Sequence, residues 1–288
     1  MPHEKGLKMP QRTWFITGVS SGFGRAMAEQ LLGRGDRVAG TVRTPEAIAD
    51  LVSRYNDRFW VAQLDLTDTA AIRGVVDQAF GDIGRIDVVV NNAGYGLFGA
   101  AEELTDEQIR HIIDTNLIGS IQVTRAALPH LRAQQGGRII QLSSFGGQAA
   151  FPGGSMYHAT KWGIEGFTEA VGQEVAPFGI EVTIVEPGGA RTQFRYGSSQ
   201  LGPRLDAYED TPAAGIRAIV EGGQAVPPGD PEKMAAAMIA SVDQSPAPRR
   251  LVLGSDSYGI ITKALADRLA DIEPQKDSAA VSDSPAVA

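Results

Sequence analysis

The sequence predicts a single α/β domain built on a Rossmann-type doubly wound parallel sheet of about seven strands, with helices on both faces. Three observations predict it. Strand-like and helix-like patterns alternate from about Thr13 to Glu186, the order that βαβ units with right-handed crossovers produce. The run Ile86-Asp87-Val88-Val89-Val90 is nearly continuously apolar, as a strand covered on both faces should be. A glycine-rich turn, Thr17 to Gly24, joins the first apolar run to the first helical pattern.

The elements follow in order. Trp14–Thr17 is the first strand, Arg25–Arg34 a helix and Arg37–Val42 the second strand. Thr44-Pro45-Glu46 reads as a helix start, with Thr44 as N-cap and proline at the first helical position. Trp60–Leu64 is the third strand, Thr69–Phe80 a helix and Ile86–Val90 the fourth strand. Helices are expected over Asp106–Asp114 and Leu117–Arg132. A strand at Arg138–Leu142, a helix at Ser155–Glu174 and a strand at Ile180–Val185 come next. After Pro187 the regularity stops. Residues 188–231 are rich in Gly, Pro, Ser and Arg and too long for a plain connection, so they are expected to cover a substrate and to order when it binds. Helix Pro231–Val242, strand Arg250–Leu253 and a last helix near Tyr258–Ala270 complete a domain spanning 12–272. Residues 1–11 are expected to be flexible, and the Pro/Ser/Ala/Asp-rich residues 273–288 to form a disordered tail.

Composition removes several classes of function. At 288 residues and 43% hydrophobic content the chain can bury a sizeable core. It contains no cysteine, so neither disulfides nor a thiolate zinc site are possible, and its four histidines lack the close pairing of a metal cluster. A formal charge of −8 argues against nucleic-acid binding. With no apolar run of membrane-spanning length and no signal-peptide core, a soluble cytoplasmic protein is expected.

Three stretches carry chemistry. In Thr17-Gly18-Val19-Ser20-Ser21-Gly22-Phe23-Gly24 the glycines allow a tight turn and bring backbone close to a pyrophosphate resting on the helix N-terminus. The spacing is Gly-x-x-x-Gly-x-Gly, which differs from the commoner Gly-x-Gly-x-x-Gly. At the end of the second strand, Thr41-Val42-Arg43-Thr44, no carboxylate stands ready for a ribose 2′-hydroxyl. Arg43 and the free amides of the Thr44-Pro45 helix start suit a 2′-phosphate instead, favouring NADP(H), with NAD(H) as the alternative. Tyr157-His158-Ala159-Thr160-Lys161 puts a phenol and an ammonium on one helical face, where the positive charge is expected to pull the phenol pKa down from ~10. His158, turned about 100° away, is assigned to the surface or a subunit contact.

In these residues the chain resembles the shorter, single-domain branch of the short-chain dehydrogenase/reductases from about Arg12 to Gly254. Motifs appear in order: Thr17-Gly18-x3-Gly22-x-Gly24, Asp65, Asn91-Asn92-Ala93-Gly94, Asn116, Ser144, Tyr157-x3-Lys161 and Pro187-Gly188. The resemblance implies an oxidoreductase acting on CH–OH donors with NAD(P)+ as acceptor, and a tetrad of Asn116, Ser144, Tyr157 and Lys161. Tyr157 would exchange a proton with the substrate oxygen, and Lys161 would lower its pKa and bind the nicotinamide ribose. Ser144, preferred over Ser143 by spacing, would hydrogen-bond the substrate oxygen. Asn116 would hold a helix kink and a relay water, unless it is simply a buried amide satisfied by backbone. For the cofactor the resemblance implies Gly18, Ser20, Ser21, Gly22, Phe23, Gly24 and Arg43. It adds Asp65 and Leu66 at the adenine, then Asn92, Ala93 and Gly94, and finally Pro187, Gly188 and Thr192 at the carboxamide. The family's architecture places Phe145, Gln148, Phe151, Pro152, Gly189, Phe194 and the 191–196 loop with Arg195 around the substrate. That set implies an apolar or aromatic ketone or secondary alcohol.

A homodimer or homotetramer is expected, joined through the helices at 117–132 and 155–174 or the last strand's edge. Two other uses of the fold are weighed: an NADP(H)-binding redox sensor without turnover, which the complete Ser144/Tyr157/Lys161 set disfavours, and an epimerase or dehydratase of the longer branch, for whose larger C-terminal domain the chain has no room.

Overall fold

A computed structural model describes residues 11–222 and 226–284; for Arg195 and Tyr196 it describes the backbone alone. The expected flexible N-terminus up to Pro10 and the last residues of the expected tail lie outside the described residues. The elements run β1 (Thr13–Thr17), α1 (Gly22–Arg34), β2 (Arg37–Val42), α2 (Ala49–Tyr55), β3 (Phe59–Gln63), α3 (Thr69–Ile83), β4 (Val88–Asn91) and β5 (Leu97–Phe98). There follow α4 (Asp106–Ile113), α5 (Ser120–Ala133), β6 (Gly137–Leu142), α6 (Ser155–Val175), β7 (Ile180–Pro187), β8 (Gln200–Leu201), α7 (Ala214–Gly222) and α8 (Pro231–Ser241). The chain ends with β9 (Arg250–Leu253), α9 (Ser255–Ile272) and α10 (Lys276–Ala280).

Seven strands form one parallel sheet in the order β3-β2-β1-β4-β6-β7-β9, with every register parallel. Alternate residues of each strand enter different cores, as a pleat of period two requires. Trp14, Ile16, Val88, Val90, Ile140 and Leu142 pack with Met27 and Leu31 of α1 and Met238 of α8. Phe15, Val89 and Ile139 pack on the other face against Val76 of α3, Ala127 and Leu131 of α5 and Val171 of α6. The chain order reverses between β1 and β4, so the crevice at their C-terminal ends is the place where such a sheet takes a ligand.

Four local readings change. Thr44 is extended before a short 3-10 turn, Pro45–Ile48, but its side chain makes no cap, so the helix start rests on the proline alone. The two helices expected at 106–132 are one rod interrupted by a π-helical turn at Asp114–Gly119, which holds Asn116. The 188–231 excursion contains order of its own: β8 pairs with β5, and α7 packs Ile216 and Val220 onto an aromatic cluster. Past Ile272 the chain continues in helical turns through Ala280, all solvent-exposed, where composition had suggested disorder. A 3-10 turn, Glu273–Gln275, joins α9 to the short helix Lys276–Ala280.

Candidate active site

A cavity of about 490 Å³ opens at the C-terminal ends of β1 and β4. One wall is the glycine loop. Gly18 and Gly22 adopt φ of +73° and +56°, a region costly for any side chain. A Cβ on Gly24 would lie 2.2 Å from the Gly18 carbonyl oxygen and 2.5 Å from Asn92 Nδ2, so only glycine lets α1 start this close to the turn. The Asn92 amide clamps the same loop, donating to the carbonyls of Thr17 (2.8 Å) and Gly18 (3.0 Å), while Thr17 Oγ1 accepts from the amides of Asn92 and Ala93. Ser21 precedes the helix without capping it, and no carboxylate stands in the first turn. The first-turn amides therefore point into the cavity free of side-chain acceptors, the arrangement that accepts a phosphate. The residues present fit a dinucleotide cofactor.

Ser20, Ser21, Phe23, Arg43, Asp65, Leu66, Ala93 and Gly94 line the same cavity, as do Pro187, Gly188 and Thr192 across from them. Arg43 is exposed there and forms no ion pair among the described residues. One Asp65 oxygen accepts from the amide and hydroxyl of Thr67 (2.9 and 2.8 Å), which holds its carboxyl below the usual carboxylate range. Gly189 is fixed by its amide donating to Asp256 Oδ2 at 2.8 Å.

Tyr157 and Lys161 sit one turn apart on α6, both buried and both lining the cavity. Lys161 Nζ donates to the Leu142 carbonyl at 2.9 Å and lies 5.8 Å from the Tyr157 ring centre. The rings of Phe98 and Phe194, each 5.8 Å away, enclose Tyr157 with His158. Burial therefore decides its proton affinity: the phenol is pushed up to about 12, with the Ser144 hydroxyl pulling the other way. This corrects the expectation of a lowered pKa. The same burial lowers Lys161 to about 8, against the charge of Glu165.

Both serines line the cavity, and their hydroxyls differ in partner: Ser144 caps the turn Phe145–Gly147, accepting from the Gly146 amide at 3.1 Å, whereas Ser143 Oγ donates to the buried Glu165 carboxylate. Asn116 stands behind the cavity wall. Its Oδ1 accepts from the Tyr95 amide (3.0 Å) and its Nδ2 donates to the Tyr95 carbonyl (2.8 Å), so the amide is satisfied by backbone and fixes the loop after β4.

Around the substrate end, Phe145, Phe151, Gly189 and Phe194 line the cavity as expected. Gln148 does not: its Nε2 donates to Glu165 and its Oε1 accepts from Arg268 at 3.4 Å, turning the side chain behind the wall, while its backbone carbonyl accepts from Arg268 at 2.7 Å. Pro152 is exposed and off the lining; the side chain of Arg195 lies outside the described residues. His158 is no surface residue. It is buried, donates from Nδ1 to the Gly146 carbonyl (2.8 Å) and accepts at Nε2 from the Phe151 amide (3.1 Å), which pins the Ser144 turn. Helical spacing turns it from the Tyr157–Lys161 face, but its ring still packs edge-on against Tyr157 at 5.8 Å, and the spacing is silent about the wall it meets.

Sequence reasoning missed Tyr95, Phe98, His111 and Ile216, all on the lining. Tyr95 directly follows Asn91-Asn92-Ala93-Gly94, a position that could have been read. Ile216 arrives on α7 from a segment without a motif, and nothing local marks it.

The chain matches the short chain dehydrogenase family over residues 12–200 and belongs to it. It is 38% identical over 255 residues to Oxidoreductase BOA17 of Botryotinia fuckeliana, spanning 88% of this chain and 92% of that one. A crystal structure of a short-chain dehydrogenase from Streptomyces avermitilis superposes with a TM-score of 0.88 at 40% identity, covering 96% of this chain and 99% of that one. The closed form of serine dehydrogenase complexed with NADP+ matches with a TM-score of 0.70 at 27% identity, over 84% and 94% of the two chains. The protein is thus an oxidoreductase of this family acting on CH–OH donors, with the fold that binds a nicotinamide cofactor. No helix among the described residues is long and apolar enough to cross a membrane.

Proposed function

We propose that the protein is an NADP(H)-dependent oxidoreductase that interconverts a ketone or aldehyde and an alcohol, with Tyr157 as general acid/base and Lys161, Ser144 and Asn116 in support. The observation that carries this reading is the convergence of Tyr157, Lys161 and Ser144 on the cavity whose other end is the glycine loop. When bound, the cofactor supplies or accepts the hydride. Gly18, Ser20, Ser21, Gly22 and Phe23 would hold its phosphates, and Asp65 and Leu66 its adenine. Pro187, Gly188 and Thr192 would face its carboxamide. Arg43 favours the 2′-phosphate, being an exposed guanidinium without an ion pair among the described residues where a carboxylate would be needed for NAD.

At neutral pH the buried Tyr157 holds its proton, the form that donates to a carbonyl oxygen during reduction. Ser144 hydrogen-bonds the same oxygen as charge develops on it. Lys161, charged below about pH 8, stabilises the phenolate that proton donation leaves. Asn116 acts through Tyr95, whose backbone it fixes beside the cavity. Phe145, Phe151, Phe194 and Gly189, with Phe98 and Ile216, favour an apolar or aromatic substrate. We further propose a cytoplasmic homodimer or homotetramer, which sedimentation analysis of the purified chain tests.

The central test follows NADPH absorbance against aliphatic and aromatic aldehydes and ketones. Substrate-dependent oxidation is expected, falling about 10²–10⁴-fold in kcat/KM in Tyr157→Phe with little change in NADPH affinity. A panel with no oxidation at all would favour a cofactor-binding sensor. Arg43→Ala is expected to erode the preference for NADPH over NADH; a preference for NADH untouched by Arg43→Ala would overturn the cofactor assignment.

A further inference from the structure

One buried carboxylate gathers the segments that carry the site. Glu165 lies one turn beyond Lys161 on α6 and is 3% exposed. Its Oε1 accepts from Ser143 Oγ, the neighbour of Ser144, at 2.5 Å. Its Oε2 accepts from Gln148 Nε2, which follows the Phe145–Gly147 turn, and from Arg250 Nη1 at 2.6 Å. Arg250 opens β9 and also donates to Glu186 and, at 2.7 Å, to Glu169. Glu186 is 1% exposed and immediately precedes Pro187-Gly188. A Cβ on Gly147 would stand 1.9 Å from Glu165 Oε1, so the turn is glycine where it meets this carboxylate.

Packing alone does not account for such a cluster, since a buried ion network is often no more stabilising than apolar residues of the same volume. Its electrostatics point at Lys161. A buried ammonium is costly without a counter-charge. The Lys161 ammonium donates to one neutral partner among the described residues, the Leu142 carbonyl, and Tyr157 beside it is neutral. The charged and titratable groups packed around Glu165 are Lys161 and Glu169 on α6, Glu186 on β7, Arg250 on β9 and, through Gln148, Arg268 on α9. Arg250 is already shared among three carboxylates, and Glu186 holds its proton to about pH 7 because it is buried beside Glu165. Glu165, one turn along α6, is the carboxylate whose charge opposes the lowering of Lys161.

We infer that Glu165 is a positioning residue of this site: its carboxylate stands one turn along α6 from Lys161 and steadies that ammonium, and its hydrogen bonds tie Ser143 at the end of β6, Gln148 and Arg250 of β9 to α6. The inference rests on the proposed role of Lys161 but is tested without turnover. Lysine labelled with ¹³C at Cε reports Lys161 by NMR, distinct because the other described lysines are exposed. In the whole protein Lys161 is expected to titrate near 8. In Glu165→Gln, which keeps the side chain's shape, it should titrate about one unit lower. The alkaline limb of kcat/KM for carbonyl reduction by NADPH should move with it. Glu186→Gln, whose carboxyl meets Arg250 and Glu165, should move the Lys161 titration by less than about a third of that.

An unshifted Lys161 titration in Glu165→Gln, with activity nonetheless reduced, would leave a purely structural residue and overturn the inference; so would an equal shift in Glu186→Gln. Should Glu165→Gln not fold, Glu165→Asp, which withdraws the charge by one methylene, gives the same readout with the same two outcomes. If the wild-type protein oxidises NADPH with no carbonyl tested, the catalytic reading fails, while the NMR titration still decides the role of Glu165.

Discussion

Asn116 is the residue whose removal the structure prices most directly. It is buried in the π-helical turn, and its carboxamide answers both backbone groups of Tyr95, at 3.0 and 2.8 Å. Asn116→Ala strands a buried N–H and a buried C=O. Each unpaired group costs about 1–3 kcal/mol, and some of that is recovered if water enters the space, so a loss of about 3 kcal/mol is expected. A chain of this length unfolds with an entropy of about 0.6 kcal/mol per kelvin, so the midpoint should fall by about 5 °C. Asn116→Asp separates geometry from charge. Ionised, it still accepts from the Tyr95 amide but sets a carboxylate oxygen against the Tyr95 carbonyl. It should therefore be at least as unstable as the alanine variant near neutral pH, and recover on acidification, when its protonated oxygen can donate again. Thermal unfolding by circular dichroism across pH, with NADPH affinity measured in parallel, reads both variants. Losses under about 1 kcal/mol in both, with no acid recovery of the aspartate, would refute the claim that this amide fixes the loop after β4.

Three further outcomes are expected. Gly24→Ala forces a Cβ to within 2.2 Å of the Gly18 carbonyl oxygen, so α1 must shift and NADPH affinity should fall about tenfold or more by calorimetry; an unchanged affinity would mean the loop does not need this approach. Arg217 of α7 donates to the buried Glu103 at 3.0 Å and to the Gly202 carbonyl at 2.9 Å, latching the 188–222 segment over the cavity. Arg217→Ala should speed protease cleavage in that segment and raise KM, whereas the double change Arg217→Met with Glu103→Leu should restore much of the protection, because removing both ions leaves none uncompensated. Glu186 is held protonated up to about 7 by burial and by Glu165, against an ordinary 4.5. Its contribution is complete below the unfolded value and lost as pH rises through about 7, on the order of 3 kcal/mol. In Glu186→Gln, denaturant midpoints should change less over that window than in the wild type; identical slopes would show that Glu186 does not carry the dependence.

What the sequence made legible follows the physics of each signal. The seven strands and their burial could be read because a two-period pleat and a doubly covered strand leave their mark within five or six consecutive residues, as at Val88-Val89-Val90. The glycine loop could be read because glycine at positions 18, 22 and 24 is demanded by backbone geometry that no other residue satisfies cheaply. Other features depend on partners distant in the chain, and local spacing is silent about those. Gln148 seemed to face the substrate until Glu165 and Arg268, 17 and 120 residues away, claimed it. His158 seemed exposed because a helical wheel shows where a side chain points and not what is packed there. Helix α7 was hidden in a segment whose order comes from Ile216 packing on the cluster of Tyr95, Phe98 and Tyr157 and from Arg217 reaching Glu103, which no window of its own residues reveals.

The sign of the Tyr157 shift has the same origin and a larger consequence. Four-residue spacing predicts attraction between phenolate and ammonium, and that attraction grows as the dielectric falls. The burial that strengthens it also strips both ions of water, and desolvation acts on each ion singly while attraction acts on the pair. Here Lys161 gives a hydrogen bond to Leu142, stands 5.8 Å from the phenol ring and answers to Glu165, so the aromatic enclosure of Tyr157 prevails. A phenol in that setting keeps its proton at neutral pH, so the acid form is the populated one and the phenolate is scarce. Reduction, which begins from the neutral phenol, should therefore hold its rate from acid pH up to the titration of Lys161 near 8. Oxidation, which needs the phenolate, should still be climbing there. Measuring both directions with one carbonyl–alcohol pair across pH decides it: coincident profiles would mean that the Tyr157 proton does not govern the rate.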